Sequence, residues 1–205
     1  MAGRPRITRE AIIGHARRIV AEHGTAGLTF QAVAAALGVS KQAIIYWYPS
    51  KWELVRDIAV PGLKAEADAT IAAIGEAGSA ADAIERFLRA LVDHHLADLG
   101  GFRMLYLASQ FDSRESLQGE GRQMLNPIHE TTSSMYAALA AKIVADTSFL
   151  ADDHPRRLAM AVHMAGIGLL TMLALAESVE DPLAHQTGPL VDSMVALLTH
   201  RPATS

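Results

Sequence analysis

Residues 28–54 read LTFQAVAAALGVSKQAIIYWYPSKWEL, and this stretch decides the fold of the first part of the chain. Thr29 can cap a short helix that Gly38 ends, and Ser40 can cap a second short helix. The first helix has apolar residues at the spacing i, i+3, i+4, i+7, namely Phe30, Val33, Ala34 and Leu37. Two short helices joined by a three-residue turn predict a helix-turn-helix at about residues 29–48.

The second of these helices presents a face suited to DNA. Its spacing turns Ile44 and Tyr48 inward. The outward positions are then Lys41, Gln42, Ile45 and Tyr46. This face is short in acid and offers a cation, an amide and a phenol, which are groups that reach base edges and phosphates in a major groove.

Two further helices flank this pair. Thr8 can cap a helix that runs to about His23 and is closed by Gly24, and a fourth helix begins at Ser50. An apolar residue precedes each of the first three caps and is matched by another four positions beyond the cap. These hydrophobic staples are Ile7/Ile12, Leu28/Val33 and Val39/Ile44. Three fixed helix entry angles indicate a compact unit in which helix direction matters.

Charge is distributed unevenly along the chain, whose formal net charge is −4. Residues 1–56 contain eight Lys or Arg against three Asp or Glu, and the rest contains ten against nineteen. A basic segment on an acidic body indicates a polyanion-binding module joined to a part that does not bind polyanions. We therefore predict a DNA-binding domain at residues 1–56 and a second domain at residues 57–205.

The stretch 28–54 resembles the DNA-binding domain of TetR-family transcriptional regulators. The Thr29 cap, Ala34, the Gly-Val-Ser turn, the aromatic helix end and the Ser-Lys-x-x-Leu start fall at the family's spacing, and the resemblance covers about residues 7–60. It implies phosphate contacts from Thr29, Gln31, Tyr46 and Lys51, and base contacts from Lys41, Gln42 and Ala43. Trp47 has either of these roles or belongs to the core. Ser40 is included in the predicted DNA-binding set, and Arg4 and Arg6 lie on a tail that can enter a minor groove.

The chain departs from the family pattern at three positions. Ile45 stands where members usually have tyrosine, Trp47 where they often have histidine, and Phe30 where threonine or serine is common. Ile45 cannot donate a hydrogen bond to phosphate, although it can touch a thymine methyl group. These differences leave the fold prediction intact and the operator sequence open.

The remainder of the chain is predicted to be helical, so the fold class is all-α: an N-terminal three-helix helix-turn-helix domain followed by a larger helical ligand-binding and dimerisation domain. Pro61 and Gly100-Gly101 are read as helix breaks. The predicted elements are a helix from Ser79 to about Leu99, a short apolar piece at 101–111, a long helix at about 121–145 with Pro127 as a kink or restart, a helix from Pro155 with Asp153 as cap to about Val179, and a last helix at about 189–199.

Residues 159–176 form an apolar run with only His163 and Thr171 clearly polar. A membrane span is one interpretation, but a histidine at mid-bilayer and the alanine-rich composition favour a helix buried on both sides. The resemblance implies a homodimer formed by the last two long helices. Small residues would permit the close approach (Ala161, Ala165, Gly168), and the last helix would complete a four-helix interface (Val191, Met194, Val195, Leu198).

A pocket for a mostly hydrophobic small molecule is implied among the middle helices. The candidates are apolar residues with a few polar groups: Phe87, Leu91, His95, Phe102, Tyr106, Gln110, Phe111, Met124, Met135 and His163. Ordinary core packing is the competing interpretation for each apolar member. His95 and His163 lie on apolar faces, which favours hydrogen-bonded core histidines over metal ligands.

Enzyme signatures are missing from the sequence. There is no cysteine, no Glu-x-x-His pair, no pair of histidines at i, i+4, no Gly-x-Ser-x-Gly and no phosphate-binding glycine loop. We therefore predict no catalytic residues, no metal and no cofactor.

The function predicted is a cytoplasmic, homodimeric repressor that binds a pseudo-palindromic duplex and is released by an unidentified small effector. An activator of the same fold, or a helical ligand-binding protein or enzyme with a vestigial DNA-binding head, is the alternative. Selective DNA affinity would separate these classes.

Overall fold

The computed structural model describes residues 7–107, 126–149 and 154–199, and within these ranges the chain is helical without strands. The all-α prediction is confirmed. Nine α-helices are described: α1 (Arg9–Gly27), α2 (Phe30–Leu37), α3 (Lys41–Trp47), α4 (Lys51–Ile74), α5 (Ala80–Leu96), α6 (Leu99–Phe102), α7 (Asn126–Ala145), α8 (Pro155–Ser178) and α9 (Thr187–Thr199). A π-helical segment, Arg103–Leu107, follows α6, and a 3-10 turn, Pro182–His185, precedes α9.

The chain divides into two compact units that do not follow sequence order. The first unit contains residues 1–63 and 100–129, and the second contains residues 64–99 and 130–205. Helix α4 contributes its first half to the first unit and its last three turns to the second. The boundary predicted at residues 56 and 57 falls inside this continuous helix and stays a prediction.

The helix breaks predicted at Pro61 and at Gly100-Gly101 are wrong. Pro61 lies inside α4, because a proline removes only one backbone donor and the exposed carbonyl side of the helix can be hydrated. Gly100 and Gly101 lie inside α6. Neither residue type ends a helix when the flanking turns are held by packing.

The caps predicted from sequence are present in the first unit. The hydroxyl oxygens of Thr8, Thr29, Ser40 and Ser50 accept hydrogen bonds from backbone N–H groups three residues on, at 3.0 to 3.3 Å. Gly24 (φ 67°) interrupts α1, and Gly38 (φ 66°, ψ 33°) ends α2 in the left-handed conformation. The chain therefore turns where the sequence predicts.

The staple residues belong to the hydrophobic core of the first unit. Ile12, Leu28, Val33 and Ile44 are at most 1% exposed, and Ile7 and Val39 pack against the same cluster. Ala34 is completely buried, which lets α2 and α3 cross closely. Each staple therefore joins a helix start to the common core, as predicted.

Helix α5 is the central element of the second unit. Its buried face contains Ile84, Phe87, Leu88, Leu91, Val92 and His95, while Leu96, predicted on the same face, is 36% exposed. Helices α8 and α9 both pack on α5. A Cβ added at Gly166 would lie 2.6 Å from Leu91 Cδ2, so the missing side chain is what allows α8 to approach α5.

Two of the later helices start differently from the predictions. The residue before α8 that has the cap conformation is His154, with no side-chain cap bond, and Pro155 takes the first helical position. The predicted cap Asp153 lies outside the described residues. Pro127 lies in α7 beside Asn126, the first described residue of that helix. Residues 121–125 lie outside the described residues, so the choice between a kink and a restart at Pro127 stays a prediction. Helix α9 begins at Thr187, two residues before the predicted start.

The segment Pro155–Glu177 of α8 is the one helical stretch in the described part of the chain that is long and apolar enough to cross a membrane. A core helix of a soluble protein has the same length and composition. Ala159, Val162, Leu170 and Leu173 are buried within the second unit. One side of α8 therefore packs into the core of its own unit.

A buried polar network joins four helices of the second unit. The carboxylate of Glu66 (α4) bridges two imidazoles: Oε2 lies 2.9 Å from His95 Nε2 (α5), and Oε1 lies 3.0 Å from His163 Nε2 (α8). The Tyr136 hydroxyl (α7) lies 2.8 Å from His163 Nδ1. Glu66, His95 and His163 are at most 5% exposed. Because a buried charge is costly unless paired, the two imidazoles stabilise the carboxylate in this interior.

Substituting Glu66 by alanine removes the group that both buried imidazoles meet. We expect Glu66→Ala to lower the free energy of unfolding by about 3–5 kcal/mol, because the polar groups that remain buried keep their desolvation cost and lose the bonds that offset it. The matched control is Asp68→Ala on the same helix, whose exposed pair with Lys64 is worth less than about 0.5 kcal/mol. Urea titration at one protein concentration measures both. Equal midpoints would contradict the role given to the network.

Alanine substitutions at Gly38 and Gly14 should change the free energy of unfolding in opposite directions. Gly38 has φ 66°, so Gly38→Ala should lower stability by about 1 kcal/mol, because an L side chain is strained there. Gly14 lies within α1, is exposed and has no atom within 4 Å of an added Cβ, so Gly14→Ala should raise stability by about 0.5–1 kcal/mol. Thermal unfolding of the two variants should shift in opposite directions.

Candidate nucleic-acid interface and effector-binding core

Helix α3 exposes the face that the sequence predicts. Lys41 and Gln42 are exposed, Tyr46 is 84% exposed and Trp47 is 38% exposed. The rings of Tyr46 and Trp47 meet edge to face with centroids 6.3 Å apart. No acid occurs in α2 or α3, so the helix pair offers cationic, amide and aromatic groups without a repelling carboxylate.

The two cap residues of the helix pair also lie at this surface. Thr29 and Ser40 are exposed, and each oxygen accepts one backbone N–H. The hydroxyl hydrogens can still be donated, which is how cap residues bind phosphate at a helix start. Gln31 is exposed beside Thr29. These polar groups lie at the starts of α2 and α3.

The remaining predicted contact residues are less accessible. Ala43, Ile45 and Lys51 are half-buried. The sequence predicts that Ile45 faces outward, whereas the structure leaves it half-buried. Arg4 and Arg6 lie outside the described residues.

The inward side of α3 is anchored at two points. Ile44 and Tyr48 are completely buried in the core of the first unit. Tyr48 follows the last residue of α3, and its phenol oxygen accepts a hydrogen bond from Arg9 Nε (3.1 Å) and donates one to Asp57 Oδ2 (3.2 Å). Burial raises the pKa of Tyr48, which keeps the phenol protonated and able to donate.

The predicted effector-binding residues divide between the two units. Phe87, Leu91, His95, Met135 and His163 are buried in the second unit, where the rings of Phe87 and His163 lie edge to face at 6.3 Å. The other candidates are elsewhere: Phe102 and Tyr106 stack at 5.3 Å in the first unit, and Gln110, Phe111 and Met124 lie outside the described residues.

The histidines of this set are hydrogen-bonded, as the sequence analysis favoured. The Nε2 atoms of His95 and His163 each lie within hydrogen-bond distance of a Glu66 oxygen, and His94 stacks edge to face on His95 at 4.9 Å. The pKa of His94 is lowered mainly by burial, and the charge of the neighbouring His95 lowers it further. Among the residues with described side chains, no group of three or more His, Asp or Glu is arranged to hold a metal ion.

Sequence reasoning missed Glu66 and Tyr136. A signal for Glu66 was present, since Leu63, Ala67, Thr70 and Ile74 recur at helical spacing and are buried, and Glu66 falls on the same stripe. A carboxylate at an apolar helix position predicts a buried partner. Tyr136 carried no such signal, because which histidine its hydroxyl meets depends on the packing of α7 on α8.

The outer side of α8 is apolar and exposed. Met160, Met164, Met172 and Leu175 are 39 to 60% exposed and recur at steps of three, four and eight residues along the helix. Leu197 of α9, which the sequence analysis did not select, is 78% exposed. These residues form an exposed apolar stripe along one side of α8.

Of the residues predicted for a dimer interface, only some are exposed. Ala161 and Gly168 are exposed, and Gly168 has no atom within 4 Å of an added Cβ. Ala165 is half-buried, as are Met194, Val195 and Leu198. Val191 is buried within its own unit, which contradicts its predicted place in a dimer interface. The reason is that α9 packs on α5, where Arg89 also pairs with Asp192 at 2.7 Å.

Known proteins resemble this chain at two levels, in the N-terminal segment and over nearly its whole length. Residues 12–58 match the family described as bacterial regulatory proteins, tetR family. The search of curated proteins found no match to this chain.

Several solved structures are similar over nearly the whole chain. A TetR-family transcription regulator from Shewanella sp. PV-4 is 17% identical with a TM-score of 0.70, covering 95% of this chain and 97% of that one. FadR from Bacillus subtilis, in complex with stearoyl-CoA, is 14% identical with a TM-score of 0.69, covering 94% and 98%. PfmR from Thermus thermophilus, a TetR-family transcriptional regulator, is 19% identical with a TM-score of 0.63, covering 97% and 99%.

These likenesses agree with the helix-turn-helix geometry described above. Residues 12–58 therefore match the tetR family of bacterial regulatory proteins, and the chain as a whole has the fold of the solved TetR-family regulators.

Proposed function

We propose that this protein is a homodimeric transcriptional repressor that binds a pseudo-palindromic DNA duplex and is released from it by a small, mostly hydrophobic effector. The observation that carries the proposal is the acid-free outer face of α3, which exposes Lys41, Gln42 and Tyr46 on a helix whose opposite side is locked into a core. A helix displayed in this way fits the major groove.

The contacts divide by chemistry. Lys41 and Gln42 meet base edges, with Ala43 and Trp47 beside them, because both side chains are exposed on the outer face of the helix. Thr29, Gln31, Ser40 and Lys51 hold phosphates, since hydroxyls, amides and ammonium groups at helix starts bind the duplex backbone. Tyr46, near the end of α3, holds a phosphate through its exposed phenol. Phosphate contacts set affinity and its salt dependence, whereas base contacts set sequence preference.

A second copy of the chain covers the apolar stripe of α8. The exposed methionines and Leu175 suit a self-complementary surface, and Leu197 of α9 adds apolar area in the same unit. Two identical heads would then bind half-sites one or more helical turns apart. Protein and duplex would share one two-fold axis.

In this proposal the effector binds among the buried residues of the second unit. Phe87, Leu91 and Met135 supply apolar walls, and the imidazoles of His95 and His163 supply polar groups. The fold likeness to FadR of Bacillus subtilis, which was solved with stearoyl-CoA, supports a hydrophobic ligand class. No metal or cofactor is required, and the site of action is the cytoplasm, where the DNA is.

Release requires the effector to bind the DNA-incompetent conformer more tightly than the competent one. Moving the equilibrium from almost fully competent to almost fully incompetent takes about 5.5 kcal/mol of differential affinity. DNA must weaken effector binding by the same factor by which effector weakens DNA binding.

The proposal is tested by selecting duplexes from random DNA with the purified full-length protein. We expect an enriched pseudo-palindrome bound by a dimer, measured by gel shift and light scattering. Failure to enrich any sequence, or a protein that stays a single subunit at micromolar concentration, would refute the proposal.

Substitutions on α3 test the face assignment. Lys41→Ala and Gln42→Ala should each weaken binding to the selected duplex by roughly tenfold or more, since a bidentate base contact is worth about 1–3 kcal/mol. Lys64→Ala, on an exposed part of α4 outside the DNA-binding segment, is the control for loss of one positive charge. Fluorescence anisotropy gives the affinities. Unchanged affinities for both α3 variants would show that this face of α3 does not bind the bases.

Lys51 tests the phosphate role separately. Lys51→Ala should lower the slope of log Kobs against log salt by about 0.9 for each head and leave the ratio of specific to non-specific affinity nearly unchanged. Titrations at several salt concentrations measure the slope. A loss of sequence discrimination without a change of slope would show that Lys51 contacts a base instead.

A further inference from the structure

Helix α3 is too short to hold its own direction. It has seven residues, and isolated helices of that length are unstable in water. Its direction must come from tertiary contacts along its length and at its end. Ile44 supplies one anchor by packing, and Tyr48 supplies the other where the chain leaves the helix in an extended conformation (φ −134°, ψ 93°).

The phenol of Tyr48 uses both its acceptor and its donor. Arg9 Nε donates to the oxygen at 3.1 Å, and the hydroxyl donates to Asp57 Oδ2 at 3.2 Å. Arg9 Nη2 closes the triangle, 3.0 Å from the same carboxylate oxygen. The Arg9 guanidinium carbon also lies 5.2 Å from the centroid of the Tyr48 ring.

The carboxylate of Asp57 is oriented by a further cation. Arg56 Nη2 lies 3.1 Å from Oδ1, so that both oxygens of Asp57 are engaged and Oδ2 points to the phenol. The three main members come from the start of α1, the end of α3 and the first half of α4. All three belong to the first unit.

The ring and the hydroxyl of Tyr48 have separate roles, packing for the ring and hydrogen bonding for the hydroxyl. A phenylalanine at position 48 would fill the same space, because the aromatic ring supplies the apolar contact with the core. The hydroxyl adds two directional hydrogen bonds to charged groups, which are the strong and geometrically specific kind. The ring therefore accounts for stability and the hydroxyl for orientation.

We propose that Arg9, Tyr48 and Asp57 form a positioning triad that sets the direction of α3, and so the angle at which Lys41 and Gln42 meet base edges. None of the three needs to touch a base for this role. The inference rests on the proposed DNA-binding function, and it assigns sequence discrimination in part to residues on the inner side of the recognition helix.

The experiment uses the full-length protein carrying Tyr48→Phe, with the duplex selected by the wild type and a scrambled duplex of equal length. We expect the ratio of specific to non-specific affinity to fall about tenfold. The melting temperature, the affinity for the scrambled duplex and its salt slope should stay close to wild type, because the ring and the phosphate contacts remain. Tyr136→Phe, which removes another hydrogen-bonded hydroxyl in the second unit, is the matched control and should keep the ratio.

A double-mutant cycle adds a readout that a merely stabilising contact would not give. Asp57→Asn removes the charge that Arg9 and Tyr48 share, and should lower the ratio by a similar factor. The double variant should be no worse than either single variant, since the members act as one unit. Additive losses would overturn the triad.

Other outcomes are equally decisive. If Tyr48→Phe keeps the ratio, or if it lowers both affinities and the melting temperature together, the hydroxyl has no positioning role and the proposal is wrong. If Tyr48→Phe does not fold, Asp57→Asn decides by the same two criteria. If the wild type itself selects no duplex, the proposed function fails, which is distinct from failure of the triad.

Discussion

The seven residues of α3 cannot form a stable helix alone, and everything proposed for this protein depends on how that helix is held. Helix formation is cooperative, with a costly first turn, so a two-turn helix exists only where tertiary contacts stabilise it. Ile44 is completely buried and Tyr48 is both buried and hydrogen-bonded. The outward side chains are thereby displayed on a helix whose direction is set by contacts with the core of the first unit.

A second constraint acts in the other unit, where Glu66 carries a carboxylate into an apolar interior. The two imidazoles that meet its oxygens come from α5 and α8, so these helices cannot shift independently without breaking buried hydrogen bonds. Helix α4 therefore carries one polar anchor in each unit, Asp57 in the first and Glu66 in the second. Such networks give a core a single arrangement, since partial satisfaction is costly.

Surface chemistry separates the two proposed interfaces. The face of α3 is polar and aromatic and has no acid, which suits a polyanion whose bases must be read through hydrogen bonds. The outer stripe of α8 is methionine-rich and uncharged at its exposed positions. It suits an apolar, self-complementary partner, because methionine side chains adapt to the surface that they meet.

Local patterns determined much of this protein. Cap residues, left-handed glycines and apolar spacing specified the helices of the first unit, because each is a short-range preference of a few neighbouring residues. They also selected Lys41 and Gln42, since the inward positions of α3 leave these residues outside. Three features follow from packing between helices instead: α4 continues through Pro61, Val191 is buried in its own unit, and Arg9 and Asp57 are hydrogen-bonded to Tyr48. Those outcomes depend on contacts between residues far apart in sequence, whose geometry no local spacing contains.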